Sequence, residues 1–68
     1  ELVGKLKSLC IDPERSALGF QSLQFLVIYK PPVKGVCLEI LKDFYENNED
    51  LKERALGLLK KYLPEEYS

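Results

Sequence analysis

An all-α fold is what this sequence predicts, and three observations carry it. From Val33 to Leu59 apolar residues return at helical spacing: Val33, Val36, Cys37, Ile40, Leu41 and Phe44 share one stripe, and Leu51, Ala55, Leu58 and Leu59 repeat it after a polar break. The stretches between periodic segments are short and rich in turn residues, so consecutive helices are expected as antiparallel neighbours. The one strand-like segment, Ser22 to Tyr29, has no obvious pairing partner elsewhere in the chain. The expected architecture is therefore a single domain over residues 1–68, with four short antiparallel helices at about 2–10, 13–29, 32–46 and 49–63 and a tail at 64–68. These would form helical hairpins or a small orthogonal bundle.

The first helix follows from Leu2, Val3, Leu6, Leu9 and Cys10, which recur on one face while Lys5 and Lys7 point to water. Gly4 weakens it by up to about 1 kcal/mol relative to alanine. It should end near Ile11, because Asp12 is a capping residue, Pro13 suits a first helical position and Glu14 complements the positive end of a new helix. That second helix is apolar on more than one side: Ala17, Leu18, Phe20, Leu23, Phe25, Leu26, Val27, Ile28 and Tyr29 leave only a narrow polar stripe at Gln21 and Gln24. Phe25, Val27 and Tyr29 also alternate as a strand would, but length and the start signal at Asp12 favour a helix. Gly19 is either a soft spot or a point of close helix approach.

Lys30, Pro31 and Pro32 form the firmest boundary, since proline disfavours helical geometry in the residue before it and Pro32 is able to open the next helix. The third helix then carries Lys34, Glu39, Lys42, Asp43 and Glu46 outward, with Gly35 in its first turn. Asn47 or Asn48 is a candidate cap for the fourth helix, and Asp50 completes a near capping box with Asn47. Glu49 and Asp50 at its start and Lys60 and Lys61 at its end agree with the helix dipole, although Glu49 and Glu53 repel at i,i+4. Gly57 is expected at a close helix crossing, and Pro64 as the stop.

Lys and Arg number 10 against 11 Asp and Glu, for a formal net charge of -1, so the chain as a whole has no bias toward phosphate backbones or anionic membranes. There is no His, which removes the usual general base, the Ser-His-Asp and Cys-His arrangements and most mixed zinc sites. Asp43, Glu46, Glu49 and Asp50 lie where solvation is expected, not in a buried pair, and they do not match a calcium loop. Gly4, Gly19, Gly35 and Gly57 are isolated and build no phosphate cradle. The chain is accordingly read as no enzyme, with no cofactor, no metal and no small-molecule substrate.

Cys10 and Cys37 sit among apolar neighbours at a spacing that matches no zinc or redox motif. Two buried or half-buried thiols in a reducing compartment are the leading expectation, with a disulfide or a reactive thiol as the others. With no secretory leader pattern and no apolar run of membrane-spanning length, an intracellular location, nuclear or cytoplasmic, is expected. The helical pattern already under way at Glu1 suggests a fragment of a longer protein.

From Pro31 to Leu63 the chain resembles a HEAT or armadillo-type repeat unit: a proline-marked start, an inner helix, a polar Asn-Asn-Glu-Asp corner, and a second helix ending in Lys-Lys-Tyr-Leu-Pro. The resemblance implies membership of an α-solenoid scaffold, with residues 14–29 as a helix of the preceding unit. Residues 1–30 do not reproduce the spacing of 31–63, and a non-repeating four-helix domain is the other reading.

The function expected from these features is a non-catalytic protein-protein interaction or scaffold domain. Its partner would be another protein or adjoining helical repeats. Phe20, Phe25 and Tyr29 are the candidate contact residues, because successive residues point about 100 degrees apart and one neighbouring helix is unable to cover all of this segment. Tyr62, a large amphipathic side chain near a helix end, joins them if the fourth helix returns alongside. The alternative is a helical nucleic-acid-binding domain, which requires the scattered lysines to converge; nucleic acid is not expected as a direct partner, nor is a membrane.

Overall fold

The computed structural model describes residues 2–67 and is all-α: α1 (Leu2–Ile11), α2 (Ser16–Tyr29), a 3₁₀ turn (Pro31–Val33), α3 (Lys34–Asn47), α4 (Lys52–Tyr62) and α5 (Pro64–Tyr67). Among the described residues there is no strand, and residues 22–29 are helical. The chain divides into two units, Glu1–Cys37 and Leu38–Ser68, with α3 running across the boundary.

In the first unit α1 contributes buried Leu6 and Cys10, and α2 contributes buried Gly19, Phe20, Leu23 and Val27. The two helices approach closely at Gly19. A Cβ at this position would stand 2.7 Å from the Cys10 nitrogen, 2.8 Å from its Sγ and 2.9 Å from its Cα. Among the described residues no glycine takes a positive φ, so position 19 needs glycine for closeness and not for backbone freedom. Of the two expectations for Gly19, close approach is the one observed.

The second helix starts at Ser16, three residues later than expected, and the reason lies in Asp12. Its backbone carbonyl accepts from the Arg15 amide at 3.0 Å, closing a turn over residues 12–15 that puts Pro13 at the position its fixed φ suits. One carboxylate oxygen accepts from the Glu14 amide at 3.0 Å, and the other takes Arg15 Nε at 2.9 Å and Nη2 at 2.8 Å. Asp12 thus caps the turn and not the helix. At the far end Lys30 closes α2 by donating to the Leu26 carbonyl at 2.9 Å. The next turn is 3₁₀, closed by the Val33 amide donating to the Lys30 carbonyl at 2.9 Å and the Lys34 amide donating to the Pro31 carbonyl, and α3 begins at Lys34, not Pro32.

The second unit is built on buried Ile40, Leu41 and Phe44 of α3 and buried Ala55 and Leu59 of α4. Asn48 Oδ1 accepts the Leu51 amide at 3.0 Å and shapes the corner, while Asn47 ends α3 and donates its side-chain amide to Asp43 at 2.9 Å. The fourth helix consequently begins at Lys52, later than the expected residue 49. Gly57 is exposed, and a Cβ there would meet nothing within 4 Å, so the expected close crossing is absent.

The expected tail at 64–68 is instead, over Pro64–Tyr67, a short helical turn docked on α3. Pro64 stops α4 by lacking a donor and opens α5 for the same reason. The Tyr67 ring meets Tyr45 edge to face, with centroids 5.7 Å apart and planes at 84°. Glu66 reaches Lys42 at 3.7 Å, and Lys52 of α4 places its ammonium 5.5 Å from the other partner of the stack, the Tyr45 ring.

Candidate functional site

The feature that needs explaining is the outer face of α2. Its 14 residues include no Asp, Glu, Lys or Arg, although six of them are exposed. Leu18 is 54% exposed, Phe25 55%, Ile28 55% and Tyr29 65%. Leu18, Ser22, Phe25 and Tyr29 follow one another at intervals of four, three and four residues, which keeps them on one stripe of the helix, with Ile28 at its edge. The Phe25 and Tyr29 rings contact each other at 4.8 Å, tilted by 39°. Ser22 donates its hydroxyl to the Leu18 carbonyl at 2.9 Å, so the one polar group in the middle of the stripe is satisfied within its own helix. Gln21, Ser22, Phe25 and Leu26 line a shallow depression beside it.

Of the residues singled out from the sequence, Phe25 and Tyr29 lie together on this stripe. Phe20 does not: it is 3% exposed and belongs to the buried face with Leu23 and Val27. Five residues of helix turn Phe20 by roughly 140 degrees from Phe25, which sends the two rings to opposite sides. Tyr62 belongs to the second unit, where it is half-buried with its hydroxyl enclosed and without a hydrogen-bond partner. The Lys61 ammonium lies 5.6 Å from its ring centroid. Leu18 was not among the singled-out residues. Its signal is the seven-residue interval to Phe25, legible only once the direction of the buried face is known.

Elsewhere the chemistry is sparse. Among the described residues no group of three or more His, Cys, Asp or Glu is placed to hold a metal ion. Both cysteines are buried and outside any disulfide, and burial pushes the Cys37 thiol above its ordinary value. The side-chain bond from Arg15, then the Glu14 amide, hold the Asp12 carboxyl below its ordinary value. Among the described residues no helix is long and apolar enough to cross a membrane.

No family model matches the chain, and no solved structure matches it at a significant level.

Proposed function

We propose that this chain is a non-catalytic protein-interaction module, acting inside the cell through the outer face of α2. The carrying observation is that Leu18, Phe25, Ile28 and Tyr29 are all at least half exposed on a helix without a single charged side chain. Soluble proteins ordinarily fill an outward helical face with charge, and a contiguous apolar patch marks a contact surface. Tyr and Phe suit that role because each offers a large, rigid area at small entropic cost. Two buried thiols outside any disulfide fit a reducing compartment. The HEAT-like resemblance of residues 31–63 fits a scaffold in which helices present surfaces to neighbours.

The test is hydrogen–deuterium exchange of the chain alone and in complex with a protein captured on it, paired with Phe25→Asp. Because Phe25 is more than half exposed, this change should leave the fold intact, which circular dichroism checks. New protection within residues 18–29 and loss of the complex in the variant are expected. Protection confined to other segments would remove α2 as the contact surface.

A further inference from the structure

The geometry points to a second copy of this chain as the occupant of the α2 stripe, packed antiparallel across a two-fold axis that passes between Leu23 and Gln24. The inference rests on the reading of α2 as an interaction surface and names what covers it.

Spacing is the first ground. Intervals of four, three and four from Leu18 to Tyr29 are those of a coiled-coil seam, which two helices share when apolar residues return every 3.5 positions on average. An axis between Leu23 and Gln24 sets Leu18 opposite the partner's Tyr29, and Ser22 opposite the partner's Phe25. Each layer joins a smaller side chain to an aromatic one, so the stripe is complementary to itself, as a two-fold interface requires. The Ser22 hydroxyl, already bonded to Leu18, enters such a layer without stranding a donor.

Charge is the second. The seam itself has none, so nothing on it repels a copy. Its ends differ in sign. Asp12, Glu14 and Arg15 lie before α2, with Arg15 engaged by Asp12 at 2.8 Å, whereas Lys30 and Lys34 lie after it and are exposed. Antiparallel packing brings the acidic end of each helix to the basic end of the other and also opposes the two helix dipoles. A parallel pair would place lysines beside lysines.

Area sets the strength. The exposed side chains offer a patch on the order of 500 Å² per chain, below the roughly 800 Å² a side that stable interfaces bury. The pairing is therefore weak and concentration-dependent, not permanent.

Sedimentation equilibrium of the 68-residue chain from about 10 µM to about 1 mM, the range in which an interface of this size associates, is the test. The weight-average mass should climb from one chain toward two, and Phe25→Asp should weaken association at least about tenfold with unchanged helicity by circular dichroism. Should Phe25→Asp lose helicity, Tyr29→Lys carries the same test at the most exposed position of the stripe. Orientation is read by mixing Leu18→Cys chains with Tyr29→Cys chains in a glutathione redox buffer: mixed disulfides should exceed both homodisulfides. A chain that stays single at about 1 mM overturns the inference, as does association untouched by both variants or a preference for homodisulfides. If the chain stays single while a different protein protects residues 18–29, the second copy is excluded and the interaction surface stands.

Discussion

Gly19 and Cys10 are packed so closely that the amide nitrogen of Cys10 occupies the space a side chain on residue 19 would enter, 2.7 Å from an added Cβ. The neighbour is backbone, which is unable to swing aside. Gly19→Ala should therefore destabilise the chain by about 1–3 kcal/mol, even though alanine favours the helix by about 1 kcal/mol. Urea unfolding of the variant checks the sign; a gain in stability would mean that α1 and α2 stand farther apart than described.

Gly57→Ala should act in the opposite direction. A Cβ there meets nothing within 4 Å, and the residue lies inside α4. Removing the backbone freedom of glycine from the unfolded chain should stabilise by about 0.5–1 kcal/mol, seen as a rise of a few degrees in Tm. A fall in Tm would reveal a contact at this position.

Tyr67→Ala should cost about 1 kcal/mol through loss of the edge-to-face contact with Tyr45. Lys42→Ala, which removes the partly exposed 3.7 Å pair with Glu66, should change stability by less than about 0.5 kcal/mol. Thermal melts of the two variants at low and high salt separate aromatic docking from charge pairing, since only the second is screened.

Burial raises the Cys37 thiol above its usual value of 9.0, and this sets the sign of an alkaline effect. Well below pH 9.0 the thiol is neutral in both folded and unfolded chains, and the stability it contributes is fully present. Above that value the unfolded chain ionises first, so this contribution is lost as pH rises toward the higher folded value. Melts of the parent and of Cys37→Ala across about pH 8 to 11 should show a steeper alkaline decline in the parent. At neutral pH both buried thiols should react with a disulfide reagent only as fast as the chain opens.

Helix existence was legible from periodicity alone, because the stripes through Leu6 and Cys10, through Ile40, Leu41 and Phe44, and through Ala55 and Leu59 are the faces found buried. Helix starts were less so. Asp12 and Asn48 are turn-formers as much as caps, and only the geometry shows Asp12 holding Glu14 and Arg15 and Asn48 holding Leu51. The two glycines Gly19 and Gly57 look alike in sequence, yet one lies in a close contact and the other in open space. For the site, an all-round apolar helix hides which side faces inward. That is why Phe20 resembled Phe25 until the packing separated them.

The uncharged stretch of α2 is also the hazardous part of the chain when unfolded. Phe25, Leu26, Val27, Ile28 and Tyr29 form a contiguous run with high β preference and no charge or proline, the composition that seeds intermolecular sheets. The helix keeps this run from extending, while Lys30, Pro31 and Pro32 stand directly after it as gatekeepers that interrupt strand pairing at one end. On the other side the chain back to Arg15 supplies no such break, so the conformational safety of this segment depends on α2 staying folded.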